Sequence, residues 1–126
     1  MGEELVQLPW IIGPPLGRAW LALVPAGEGR EQVAGTISLR ASGDGCDDLR
    51  RLFVRPAFRR CGVGVALVLA AIAAVPGRTL RAEVPVTLHQ AVSVLRRAGF
   101  QATPPWHAIP SAWGPTQFLV LSNPAL

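Results

Sequence analysis

Leu52-Phe53-Val54-Arg55-Pro56-Ala57-Phe58-Arg59-Arg60-Cys61-Gly62-Val63-Gly64 is the stretch on which the reading of the fold turns. Its opening residues favour a strand, and Pro56, which has no N–H for a ladder, closes it. Two glycines follow, and from Gly64 to about Val75 the chain is rich in alanine, valine and leucine, with no breaker until Pro76-Gly77. A strand that ends in closely spaced glycines and runs into a helix gathers backbone N–H groups and the positive end of the helix dipole at one point. That arrangement cradles an anion. Gly62 and Gly64 carry no Cβ, so the backbone there can approach a phosphate and take a positive φ, while Arg59 and Arg60 add charge.

Outward from this loop the pattern extends in both directions. Asp47 to Arg55 reads as the strand that feeds it, preceded by two antiparallel strands, Ala19 to Val24 and Gln32 to Arg40, joined through Pro25 to Glu31. Glu4 to Ile12 is a further short candidate strand, broken off by Gly13-Pro14-Pro15-Leu16-Gly17. Beyond the first helix, which is apolar nearly all round and expected to be buried, Thr79 to Val84 is a strand. Thr87-Leu88-His89-Gln90 has the form of a capping box, and Leu88, Ala91, Val92, Leu95 and Ala98 share one face of the helix it opens. Arg96, Arg97 and Gly99 supply its stop signals. Phe100 to Trp106 and Thr116 to Ser122 are the last strands. The order β β β α β α β β, without internal repeat, gives an α+β (mixed α/β) class on one central sheet. With 126 residues, 50% of them hydrophobic, the chain suffices for one domain over residues 1–126 and not for two.

Composition narrows the function classes. The longest apolar run, Val63 to Val75, is short of the roughly 20 residues that cross a bilayer. The start Met1-Gly2-Glu3-Glu4 leads into no export signal, so a cytoplasmic protein with no membrane partner is expected. Cys46 and Cys61 are expected as free thiols. The net charge is +4, but Arg50, Arg51, Arg55, Arg59 and Arg60 crowd into eleven residues instead of forming a stripe. That suits a local anion site better than a nucleic acid, and no nucleic-acid partner is expected. A dinucleotide-binding loop fails on two points: Leu67 stands where a third glycine is needed, and five residues separate Pro56 from Gly62.

The residues resemble the GNAT superfamily of acyl-coenzyme A-dependent N-acyltransferases, whose loop Gln/Arg-x-x-Gly-x-Gly/Ala follows a strand patterned Leu-x-Val-x-Pro. Leu52-Phe53-Val54-Arg55-Pro56 and Arg59-Arg60-Cys61-Gly62-Val63-Gly64 match that form, and Val84, Ala91, Gly99 and Phe100 fall at the family's downstream spacings. The resemblance runs from about Ala19 to Ser122. It implies a mostly antiparallel central sheet, splayed at an acyl-CoA cleft, with two main helices. The pantetheine arm would pair with the strand Leu52, Phe53 and Val54, and the backbone of Arg60, Cys61, Gly62, Val63, Gly64 and Val65 would bind the pyrophosphate of acetyl-CoA, with Arg59 beside it. No metal is implied.

Transfer of an acetyl group to an amine by direct attack in a ternary complex needs a neutral amine, a polarised carbonyl and a departing thiolate. The resemblance assigns the carbonyl to a main-chain N–H near Val54. For the base it offers Asp48, six residues before Val54, and Glu83 on the strand across the gap, either of which could instead be an edge carboxylate paired with Arg50, Arg51 or Arg81. His89 and His107 are alternatives, His89 reading as an exposed polar residue. The family's tyrosine acid falls on Leu95 and its asparagine on Leu88. Solvent or Ser93 would then protonate the thiolate, or the domain would bind acyl-CoA without turnover. Only Gly13 to Arg18 stands where the family places helices beside the acceptor, so the pocket should be open or closed by a second copy in a homodimer. Trp10, Trp20, Trp106 and Trp113 could line it, and Pro104-Pro105 and Pro110 make Thr103 to Pro115 an irregular segment that covers the groove or meets a partner. The acceptor would be a small-molecule or protein amine.

Overall fold

The computed structural model describes residues 18–42 and 44–122; the candidate strand Glu4–Ile12, its breaker and Trp10 lie outside them. Six strands form one sheet: β1 (Arg18–Gly27), β2 (Arg30–Ala41), β3 (Cys46–Val54), β4 (Thr79–Pro85), β5 (Gln101–Ala102) and β6 (Thr116–Ser122). Helices α1 (Val63–Ala74) and α2 (His89–Arg97) follow β3 and β4. The order in the sheet is β1-β2-β3-β4-β6-β5, with β3 and β4 parallel and every other pair antiparallel. The architecture is therefore mixed α/β and mostly antiparallel, in the expected order of elements. No helix among the described residues is long and apolar enough to cross a membrane, and no group of three or more His, Cys, Asp or Glu among them could hold a metal ion. Cys46 and Cys61 are both free.

Local chemistry explains most element ends. Glu28 and Gly29, both at positive φ, make a two-residue hairpin between Gly27 and Arg30, so β1 and β2 run closer together than their composition suggests. At the end of α2, Gly99 (φ 110°) donates to Arg96 and Phe100 donates to Leu95 at 3.0 Å, the paired bonds of a Schellman stop. Its start departs from the expected capping box. Leu88 is the N-cap and, being leucine, makes no side-chain cap bond; its own N–H donates to Pro85 O at 2.9 Å, and with the helix starting at His89 the Thr87 and Gln90 pair falls one residue out of box register. Strand β5 is two residues long where Phe100 to Trp106 was expected to be extended: Thr103 still donates to Phe118 O, but Pro104-Pro105 have no N–H to continue the ladder.

The core lies between the sheet and the helices. Helix α1 buries Val63, Gly64, Leu67, Val68 and Ala71, one face only, and Leu69 is 49% exposed on the other. Its all-round apolar composition therefore overstated its burial, since the sheet covers it from one side. Trp20, Ile37, Leu39, Leu49, Leu80 and Leu119 meet it from the strands, with Leu95 and Phe100 closing the end. Gly35 on β2 lets α1 sit close, because a Cβ there would lie 2.8 Å from the Phe53 carbonyl and 3.1 Å from Leu67. Asp47, 4% exposed, is held by two bonds from Arg78 at 2.9 and 3.1 Å, as a buried charge requires.

Candidate functional site

Strand β3 changes neighbours along its length. Its first half pairs with β4 from Cys46↔Thr79 to Leu49↔Ala82, and there the pairing stops, although β3 runs on to Val54 and β4 to Pro85. Beyond that point β3 follows β2 and β4 follows β6, which leaves an opening. A bulge turns β3 away at Arg51, which takes φ 57°, and Ser38 and Thr36 hydroxyls pin it by donating to the Arg50 and Arg51 carbonyls at 3.0 and 3.2 Å. Arg55 then donates to Ala34 O at 2.8 Å. Groups of one strand alternate sides of the ladder, so the Val54 N–H and C=O turn away from β2. The carbonyl accepts from Arg59 Nε at 3.1 Å.

A groove of about 350 Å³ runs from this edge along the glycine loop. Gly62 caps α1 at φ 84°, and a Cβ on Gly64 would lie 3.0 Å from Val94 and 3.4 Å from Val54. The cradle thus exists because both positions lack side chains, and it fits a ligand held by backbone amides, as the pyrophosphate of acyl-CoA would be. Leu52, Phe53, Val54, Arg59, Arg60, Gly62, Gly64 and Val65 all line the groove. Cys61 and Val63 do not: Val63 is 1% exposed in the core and Cys61 packs partly buried against it. The Arg59 guanidinium stands 5.9 Å over the Phe53 ring, at the mouth. The far wall, absent from the sequence reading, is α2, through Gln90, Val94 and Arg97. Their i, i+4, i+7 spacing marks a single helix face, which becomes recognisable as a wall once α2 is known to flank the loop.

A second cavity of about 500 Å³ occupies the opening and meets the groove at Leu52, Leu88 and Ala91. The two expected carboxylates both line it and differ in their partners. Asp48 binds Arg81 Nε at 3.2 Å, and the same guanidinium, 12% exposed, reaches Asp44 at 3.0 Å and Ser42 at 3.2 Å and lies 4.5 Å over the Trp106 ring. Burial works against that charge, but Asp48 and then Cys46 and Asp44 outweigh it and hold the guanidinium protonated. Asp48 is therefore the ion-pair partner of Arg81, the edge-carboxylate alternative expected for it. Glu83 instead meets His107 Nε2 at 2.8 Å, and the other ring nitrogen stands 2.7 Å from the Ala108 carbonyl. Both partners are acceptors, which favours the doubly protonated ring. The Ala108 bond first and Glu83 second raise the His107 pKa above its ordinary 6.5, against burial and the Arg81 charge. Trp106 and His107 both pack edge-on against Phe118, at 4.6 and 5.2 Å, so the segment after β5 folds back over the β4–β6 face.

The model for the acetyltransferase (GNAT) family matches residues 3–100. The chain belongs to that family. In fold it is similar to a Klebsiella pneumoniae protein assigned as an acyl-CoA N-acyltransferase, at 24% identity and a TM-score of 0.69, covering 93% of this chain and 77% of that one. A Bacillus anthracis protein assigned as a streptothricin acetyltransferase, solved with acetyl coenzyme A, aligns at 18% identity and a TM-score of 0.68, over 89% of this chain and 65% of its own. A Bacillus subtilis acetyltransferase solved with CoA aligns at 17% and 0.61, over 85% and 77%. No curated protein matches the chain.

Within the GNAT frame the remaining expected residues separate clearly. Leu95, in the family's tyrosine place, is 2% exposed and lines the opening, while Leu88 is 53% exposed where groove and cavity join. No hydroxyl stands at either place. Ser93 is exposed and lines neither space, because it points from the outer face of α2, so it is not the missing acid. His89 is exposed and lines the groove, not the cavity that holds Glu83. Trp20 is core and Trp106 lines the cavity.

Proposed function

We propose that the chain transfers an acetyl group from acetyl-CoA to an amine by direct attack in a ternary complex. The observation that carries this is the Val54 N–H, turned away from β2 on the edge of a glycine-loop groove that meets the cavity holding Glu83 at Leu52, Leu88 and Ala91. Acetyl-CoA would supply the thioester. The amides from Arg60 to Val65 hold its pyrophosphate, with Arg59, Arg60 and Arg97 adding charge along the groove. The Val54 N–H polarises the acyl carbonyl from a fixed position, where a preorganised donor is most effective. Glu83, on the opposite bank, takes the proton of the incoming ammonium once His107 has released its own to solvent. Leu52, Leu88 and Ala91 make the junction apolar. With leucine at positions 88 and 95, the thiolate leaves without a side-chain acid, and solvent protonates it.

The test is release of CoA thiol from acetyl-CoA across a panel of amines, with mass spectrometry of the acceptor. Amine-dependent thiol release with an acetylated product is expected. Stabilisation by acetyl-CoA without release for any amine would leave an acyl-CoA-binding domain. No stabilisation at all would overturn the reading.

A further inference from the structure

The charges that line the opening do not balance. Arg81 is taken up by Asp44 and Asp48, and Glu83 by His107. Arg50 and Arg51 also line the cavity, and neither guanidinium has a hydrogen-bond or ion-pair partner among the described residues. They take no part in the glycine-loop groove, whose cations are Arg59, Arg60 and Arg97. An exposed arginine needs no protein partner, so position is what sets these two apart.

The register supplies that position. Asp48 and Arg81 are paired in the parallel ladder and joined by their side chains on the face away from the helices. Strand side chains alternate, so the next residues on that face are Arg50 and Glu83, two positions along each strand and just past the last pair, Leu49↔Ala82. They face each other from the two banks of the opening, and Glu83 is turned to His107. The bulge adds Arg51 to the same bank as Arg50 and is held there by Thr36 and Ser38.

Resting on the acyltransferase reading above, we infer that the acceptor is an amine that also carries a carboxylate a few bonds away, its amine at Glu83 and its carboxylate at Arg50 and Arg51. A guanidinium pair recognises a carboxylate through directed, charge-assisted bonds. A plain alkylamine or a polyamine offers those arginines nothing and adds like charge to the cavity.

The experiment compares β-alanine with β-alaninamide and glycine with glycinamide, on the unaltered chain and on Arg50→Gln/Arg51→Gln. Turnover with acetyl-CoA and thermal stabilisation in the presence of CoA are both read. We expect kcat/KM for the acids to exceed that for their amides by roughly tenfold or more, mainly through KM. We expect the double variant to lose that preference while acetyl-CoA still stabilises it. Equal use of acids and amides, or a preference that survives in the double variant, overturns the inference and leaves the acyltransferase reading intact. Without turnover of any amine, acid-dependent stabilisation lost in the double variant supports the arginine site and sinks the acyltransferase. If stabilisation by CoA is unaffected by either acid, the arginine site is wrong.

Discussion

The groove along the glycine loop and the cavity in the β3–β4 opening share Leu52, Leu88 and Ala91 and are otherwise made of different material. The groove is built around a glycine loop at a helix N-terminus, Gly62 and Gly64, with Arg59, Arg60 and Arg97 along it. The cavity is side-chain charge, sorted into the Asp48–Arg81 and Glu83–His107 pairs, with Arg50 and Arg51 left over. Substitutions in the groove should therefore act by steric exclusion and appear in binding and stability. Substitutions in the cavity should act on the rate.

The sharpest way to break that contrast is Glu83→Gln, which keeps the shape and removes the base. A fall in turnover by about 10²–10⁴ is expected, with stabilisation by acetyl-CoA unchanged in a thermal-shift titration. A loss of acetyl-CoA binding there would mean the two spaces are not separable. The converse substitution, Gly64→Val, drives side-chain atoms into Val94 and Val54. It should lower stability by about 1–3 kcal/mol in urea unfolding and abolish stabilisation by acetyl-CoA; a variant that still binds would refute the cradle.

A smaller effect is expected at Asp48→Asn, which leaves Arg81 its bonds to Asp44 and Ser42. About 1 kcal/mol of stability should be lost and turnover should fall far less than for Glu83→Gln. A comparable fall would point to Asp48 as a base.

The smallest effect concerns His107. Its folded-state pKa is raised above 6.5, so the stabilisation it contributes is complete below that value and fades as pH rises through the raised pKa. Turnover should run the other way, increasing as the Glu83–His107 pair gives up its proton over the same interval. His107→Gln should remove that limb of the pH–rate profile and flatten the matching slope of Tm against pH. A limb that persists would place the titrating group elsewhere.

The loop was legible because everything that makes it is local. Gly62, Gly64 and the helix they open lie within a few residues, and steric and dipole arguments apply at that range. The different partners of Asp48 and Glu83 were not legible, since each had an arginine in reach by spacing. What separates them is register: Asp48 falls on the last paired stretch beside Arg81, and Glu83 falls one residue past it. His107 sits 24 residues from Glu83, in a segment whose prolines argue for irregularity and say nothing of direction. The capping box failed because the helix starts one residue later than the box requires, with Leu88 in the N-cap place.

Sequence alone determined the order of elements, the anion cradle and the absence of a hydroxyl at positions 88 and 95, all set by residue type, short-range geometry and family spacing. Tertiary structure decided where β3 and β4 part, that Val54 turns its N–H away from β2, and which charges close on each other and which stay open. Those outcomes depend on the pairing register of strands distant in the chain, and a register is settled by packing of the whole sheet.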